Sequence, residues 1–378
     1  MKVSDIPTPY YIVYEEKLRR NLSLISRVAQ ESGAKIIMAF KANALWRSFP
    51  IIREYCRSFT ASSLNELRLG LEFLGKDAHS YCPAYTDATI DEYLSGSTHI
   101  TFNSLAQWHR FRHKMNEYPG VSPGLRVNPK CSVIETDIYN PALPGSRFGV
   151  NAHELAAGMP DGIEGLHFHA LCESSSYDLE KVLQAFEAQF GHLLHSLKWV
   201  NFGGGHLMTR EGYDTRHLIR LIRDFRERYP NLEVIMEPGS AFTWRTGDLI
   251  TEVVDVVTND GVSTAIVDVS FACHMPDTLE MPYQPIITES VEQSAPNARP
   301  YRLGGNSCLS GDFHGPWYFD HDLAIGEKLT LEDMNHYTTV KTTMFNGIQH
   351  PAIVLCRASG DCEYLRQYTY EDYKNRMS

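Results

Sequence analysis

The sequence has no CxxC pair among its eight cysteines, so neither a zinc knuckle nor a thioredoxin-type redox motif is expected. It has no apolar run approaching ~18 residues, so no membrane-spanning helix is predicted. The opening MKVSDIPTPYY lacks the apolar stretch of a signal peptide. Basic charge is not in excess: 35 Lys and Arg against 46 Asp and Glu leave −11, the opposite of a nucleic-acid-binding footprint. Repeats, low-complexity tracts and long linkers are also missing. What is left is an ordinary globular composition, 43% hydrophobic and 21% charged over 378 residues, which buries a large core without staples. The expectation is a cytoplasmic protein with reduced cysteines and no nucleic-acid or membrane partner. The acidic surplus suits a cationic small molecule.

What is present is an alternation. Eight β-branched or apolar runs read as strands: KIIMAFK (35–41), FTASS (59–63), AHSYCP (78–83), HITFNS (99–104), GLRVNP (124–129), GIEGLHFHA (162–170), KWVNFGGG (198–205) and EVIMEPG (233–239). Amphipathic stretches lie between most of them. In DTRHLIRLIRDFRERYP the apolar residues fall at 218, 219, 221, 222 and 225, near the spacing of a helix face. Strands alternating with helices predict βαβ units and a parallel sheet. Eight units fit a closed (β/α)8 barrel better than an open sheet, and the barrel is expected over residues 14–242. After residue 243 the texture turns to strands and turns (DLITEVVDVVTND, VSTAIVDVSF, YTTVKTTMF, AIVLCRA). Residues 243–378 with 1–13 are therefore expected to form an all-β domain.

In barrels of this kind the reactive groups gather at the C-terminal ends of the strands. Lys41 ends the apolar run IIMAFK. A lysine beside apolar walls loses ammonium stability and becomes a nucleophile suited to Schiff-base chemistry. A solvated strand-end lysine is the alternative. Gly203, Gly204 and Gly205 follow strand seven, where crowded backbone N–H groups suit a phosphate; a tight turn is the alternative. Glu237 ends strand eight, and a carboxylate there holds a pyridine nitrogen protonated or pairs with a neighbouring cation. His169 ends strand six and suits stacking on a flat ring. His167 shares its face, so a metal pair or a core histidine is the alternative reading. No third metal ligand with clear spacing appears, and no metal is expected. An aldehyde, a phosphate and a ring nitrogen occur together in pyridoxal 5′-phosphate.

FKAN with Lys41, SRFG (146–149), HFHALCE (167–173), FGGGH (202–206), MEPG (236–239) and CLSGD (308–312) together resemble the fold-type III pyridoxal-phosphate enzymes, the alanine racemase-like or ornithine/diaminopimelate decarboxylase group. FKANALWRSFP, GLHFHALCES, HMPDTLEMPYQP and YTYEDYKNRMS are most similar to the carboxynorspermidine/carboxyspermidine decarboxylases of that group. The resemblance implies decarboxylation of such substrates in polyamine biosynthesis, with another basic amino acid (diaminopimelate, ornithine or arginine) as the alternative. It implies Lys41 as the Schiff-base lysine, His169 on the ring, Gly203–Gly205 at the phosphate and Glu237 at the ring nitrogen. A racemase would carry Arg at the last position. The resemblance also implies a head-to-tail homodimer whose sites lie at the interface, reached by Cys308 and Asp312 of the second copy. Cys308 is then the candidate to return a proton to the substrate carbon, and Asp312 to attract a distal amine. Asp277 and Glu280 do the same or cap a turn. Two positions depart from ornithine-type sequences. Ser240 stands where Arg follows EPG, and Phe345 where a phosphate-binding Tyr is expected. Phosphate contacts then fall to backbone N–H groups and hydroxyls.

Overall fold

The computed structural model describes residues 1–378 and separates into two compact units, Arg19–Phe242 and Met1–Leu18 with Thr243–Ser378. In chain order the strands up to residue 236 are β1 (Tyr10–Tyr14), β2 (Lys35–Ile36), β3 (Met38–Ala39), β4 (Ser58–Ala61), β5 (Asp77–Tyr81), β6 (His99–Phe102), β7 (Ser122–Arg126), β8 (Gly165–His167), β9 (Trp199–Asn201) and β10 (Glu233–Met236). All but β1 form one parallel sheet in the order β2-β10-β9-β8-β7-β6-β5-β4-β3. β2 and β3 are one strand interrupted at Ile37. β2 pairs with β10 and β3 with β4, so eight strand positions close the ring of a (β/α)8 barrel.

Local chemistry starts each barrel helix where its strand stops. Ser63 caps Leu64–Phe73 by accepting the Glu66 N–H, and Ser104 caps Leu105–Phe111. A cap hydroxyl satisfies a backbone donor that the first turn leaves unpaired. Ser175 and Asp178 form a reciprocal capping box at Ser176–Leu194. Two strand-end serines are thus spent on caps rather than on chemistry. The helix Thr215–Arg228 buries Leu218, Ile219, Ile222 and Phe225, each stabilising by roughly 1.5–3 kcal/mol.

The strand starts form the closed end of the barrel. Trp199 is buried there, its indole N–H donating to Ser122 Oγ at 2.8 Å. A Cβ on Gly165 or Gly124 would fall 2.1 or 2.3 Å from that indole, so only glycine leaves room for it. His79 stacks on His99 at 4.0 Å, and His99 meets Trp199 edge-on at 5.3 Å. Burial holds His79 well below the ordinary imidazole range and brings His99 down to about 4, so both are neutral. Asp77 beneath them pairs with Lys35 at 2.7 Å.

The second unit is built on β11 (Gly247–Asn259), β12 (Val262–Val267), β13 (Arg299–Gly304), β14 (Phe313–Phe319), β15 (Lys328–Leu331), β16 (Ala352–Cys356) and β17 (Cys362–Arg366). β1 joins this sheet between β11 and β16. Three short helices, Phe271–His274, Asp277–Glu280 and Tyr370–Met377, interrupt what the sequence presents as strands alone. Cys356 and Cys362 are register partners across β16 and β17 and form a disulfide. That corrects the expectation of eight reduced cysteines, because direct cross-strand pairing places the two sulfurs within bonding reach. The other six are free. No helix is long and apolar enough to cross a membrane.

Candidate active site

A cavity of about 820 Å³ opens at the C-terminal end of the barrel strands, lined among others by Lys41, Thr60, Tyr81, Arg126, His167, His169 and Glu237. Three residues predicted from the sequence as strand-end chemistry therefore share one space, Lys41, His169 and Glu237, and His167, read from the sequence as half of a metal pair or a core histidine, lines it too. Lys41 lies just past β3 and is open to water, but it lines the cavity, so the surface it exposes is a cavity wall. Burial lowers its pKa from the ordinary lysine value; the Glu237 carboxylate opposes this and the Arg126 guanidinium reinforces it. An amine with a lowered pKa is unprotonated, hence nucleophilic, for more of the time.

Glu237 is 7% exposed at the end of β10. Burial raises its carboxyl pKa; the Asn201 hydrogen bond, the Lys41 charge and a hydrogen bond from Thr60 pull it back. Asn201 Nδ2 donates to Glu237 Oε1 at 2.7 Å, and His167 Nε2 lies 3.8 Å from the other oxygen. Both ring nitrogens of His167 are buried without a hydrogen-bond partner. Burial pushes His167 and His169 well below the usual imidazole pKa, so neither adds a positive charge. The Gly204 N–H donates to His169 Nδ1 at 2.7 Å, so the neutral ring carries its proton on Nε2. Arg126 is stacked between Tyr81 and Phe148, 4.7 and 4.4 Å from the ring centres, and donates to the His169 carbonyl at 3.3 Å.

The glycine triplet behaves differently from the expected phosphate cradle. The Gly203 N–H is taken by Asn201 Oδ1 at 2.8 Å and the Gly204 N–H by His169. Only the Gly205 N–H is left without such an acceptor. A Cβ on Gly203 would fall 2.5 Å from the Phe168 carbonyl oxygen, and one on Gly205 would fall 2.2 Å from that of Leu171. Glycine is required here because the loop packs against the chain after β8. Ser240, 9% exposed, opens the short helix Ser240–Thr243 after β10.

The remaining predicted residues lie in the sheet unit. Cys308 is exposed in the loop before β14, its N–H donating to Asn346 Oδ1 at 2.8 Å. Asp312 is 4% exposed and is used up within this loop. Its oxygens accept from the Ala272 N–H at 3.0 Å and from Ser307 Oγ at 2.5 Å. Within the single chain Asp312 thus braces its own loop. Asp277 and Glu280 open and close their single helical turn, and both pair with Lys341. The one lysine balances only one of these two carboxylate charges. Phe345 is 51% exposed. Its ring offers no donor to a phosphate, and its neighbour Asn346 holds the Cys308 loop.

Comparison with known proteins places the fold in a family. Residues 12–335 match the model of the pyridoxal-dependent decarboxylases with a C-terminal sheet domain. The chain belongs to the pyridoxal-dependent decarboxylase family. It is 46% identical to a carboxyaminopropylagmatine decarboxylase of Synechocystis, with 100% of this chain and 97% of that one covered. It is 41% identical to a carboxynorspermidine/carboxyspermidine decarboxylase of Campylobacter jejuni, with both chains covered in full. The crystal structure of C. jejuni carboxynorspermidine decarboxylase with norspermidine superposes with a TM-score of 0.90 at 40% identity, over 98% of this chain and 100% of that one. Diaminopimelate decarboxylase of Helicobacter pylori has a TM-score of 0.80 at 18% identity, over 99% and 98% of the two chains, and adds agreement in fold alone.

Within this family architecture, sequence reasoning missed three members of the cavity network. Asn201 was legible as a lone polar residue in the apolar run WVNF, on the same strand face as Gly203. Tyr81 and Thr60 carry no such signal, because aromatic and β-branched residues are common in any strand.

Proposed function

We propose that this decarboxylase acts on carboxynorspermidine and carboxyspermidine, releasing CO₂ to leave norspermidine and spermidine. The observation that carries the reading is Lys41 beside Glu237 in one cavity. The 41% identical relative supports the substrate. The residues fit pyridoxal phosphate. A lowered-pKa amine and a buried carboxylate match an aldehyde and a ring nitrogen, and the unpartnered His167 nitrogens mark a polar wall that a ligand completes. Lys41 would hold the aldehyde carbon, Glu237 the ring nitrogen, His169 a ring face, and the Gly205 N–H with Ser240 the phosphate. When bound, the cofactor supplies an electron sink for the pair left by departing CO₂.

The chain's own groups do the rest. Burial raises the Glu237 carboxyl pKa, Asn201 and Lys41 draw it back, and as a carboxylate it would keep a proton on a facing ring nitrogen. Thr60 and Asn201 fix the direction of its carboxylate. His169 stays neutral with its tautomer set by Gly204, so it would cover the ring without adding a competing charge. Arg126 is held against two aromatic rings and gives the cavity wall a fixed cation. Cys308, an exposed thiol on a loop braced by Asp312 and Asn346, delivers the proton to the substrate carbon. In this reading it does so from a second copy, in a head-to-tail homodimer within the cytoplasm.

One observation favours a second substrate: the 46% identical relative is a carboxyaminopropylagmatine decarboxylase, whose substrate name implies a guanidinium tail. The deciding experiment is CO₂ release from carboxynorspermidine, carboxyspermidine and carboxyaminopropylagmatine, with products identified by mass. Turnover of the first two supports the proposal. Turnover confined to the third, or to diaminopimelate, ornithine or arginine, overturns it.

A further inference from the structure

We infer that Asp137 is a specificity-determining residue, binding the cationic distal end of the substrate; this rests on the substrate reading above. Only two carboxylates line the cavity, Glu237 and Asp137. Glu237 is buried and engaged by Asn201, Thr60 and Lys41, so it has no capacity for a second cation. Asp137 is exposed, and its side chain makes no hydrogen bond or ion pair within the protein. A hydrated carboxylate on a cavity wall gains a partner from a ligand without breaking an internal one.

Its position is held. Asp137 opens the single turn Asp137–Tyr139, closed by the Asn140 N–H donating to the Asp137 carbonyl at 3.1 Å. Asn140 Nδ2 donates to the Ile134 carbonyl at 3.3 Å. The far end of the loop is tied by Asn103, which donates to the Arg147 carbonyl at 2.8 Å and accepts the Gly149 N–H at 3.0 Å. Beside the carboxylate, Ile138 and Tyr139 also line the cavity, an apolar flank for the methylene chain that separates a polyamine's charges. The acids that the sequence offered for this task, Asp277, Glu280 and Asp312, are engaged elsewhere.

The test is Asp137→Asn, which keeps shape and removes charge, in the cofactor-loaded enzyme. Losing one charge-assisted hydrogen bond predicts a rise of about tenfold in KM for the carboxylated polyamine, with kcat within about twofold. Competitive inhibition by norspermidine should weaken by the same factor, and Asp137→Glu should restore much of both. A merely structural loop residue would not split KM from kcat in this way. If the wild type turns over a carboxylated polyamine and Asp137→Asn matches its KM and its norspermidine inhibition, the role of Asp137 is overturned and the substrate reading stands. If the wild type turns over no such substrate, the substrate reading falls and this inference falls with it.

Discussion

Replacing Asn201 with Ala tests whether Glu237 works as a carboxylate held in place. Asn201 is 1% exposed and bridges two groups: its Nδ2 donates to Glu237 Oε1 and its Oδ1 accepts the Gly203 N–H. A hydrogen bond to a charged group contributes roughly 1.5–3 kcal/mol, or about 10- to 150-fold in a rate where the charge matters. The lost bond is the largest influence drawing the Glu237 pKa down. Without it the carboxyl pKa rises further. Glu237 is needed ionised, so the acid limb of the kcat profile should move to higher pH. The stability loss should be milder than the activity loss, because Glu237 escapes an unpaired buried charge by taking a proton. The assay is CO₂ release across about pH 5–9, alongside thermal unfolding of the cofactor-loaded protein. An Asn201→Ala enzyme with kcat within twofold of wild type and an unmoved acid limb would refute the role given to this carboxylate.

Lys41→Ala should abolish both the visible absorbance of bound cofactor and activity, with an unchanged circular dichroism spectrum; residual turnover would remove Lys41 from the chemistry. Cys308→Ala should lower turnover at least tenfold with cofactor affinity unchanged, as expected for a lost general acid. Asp312→Asn should instead lower the melting temperature and speed thiol-reagent labelling of Cys308, which equal labelling rates would contradict. The closed end of the barrel predicts acid sensitivity. His79 and His99 have depressed pKa values in the fold, with Asp77 opposing the shift and Lys35 reinforcing it for both; His167 adds to it for His79, and Glu164 opposes it for His99. The unfolded chain therefore binds more protons below about pH 6.5, and stability should fall from there towards about pH 4. For His99 the shift from 6.5 to about 4 corresponds to roughly 3 kcal/mol. His99→Gln should flatten that slope in urea unfolding measured across the window, and an unchanged slope would show that other groups set it.

The eight-strand alternation was readable because parallel barrel strands are buried on both faces and so appear as apolar runs between amphipathic helices. Lys41, His169 and Glu237 were readable because the fold rule limits reactive groups to strand ends. The protein partners of Asp312, Asp277 and Glu280 were not legible for one reason. A carboxylate in a loop looks the same in sequence whether it faces a ligand or its own backbone, and the partners here come from residues as distant as Ala272 and Lys341. Asp137 was invisible because nothing in ETDIYN distinguishes a cavity wall from a surface turn. The interruption at Ile37 and the pairing of Cys356 with Cys362 depend on register, which no local pattern reports.

The glycine triplet shows how far a motif can be right in place and different in cause. FGGGH stands at the expected loop, yet Gly203 and Gly204 give their N–H groups to Asn201 and His169. Those two side chains lead directly to the cavity: Asn201 fixes Glu237, and His169 lines the wall. The loop thus sets the position of the carboxylate and the tautomer of the imidazole through one backbone conformation, which a Cβ at 203 or 205 would disrupt by striking the chain after β8. A substitution such as Gly203→Ala, forced to φ of +69° and into the Phe168 carbonyl, should therefore damage catalysis through Glu237 and His169 even where phosphate contacts survive.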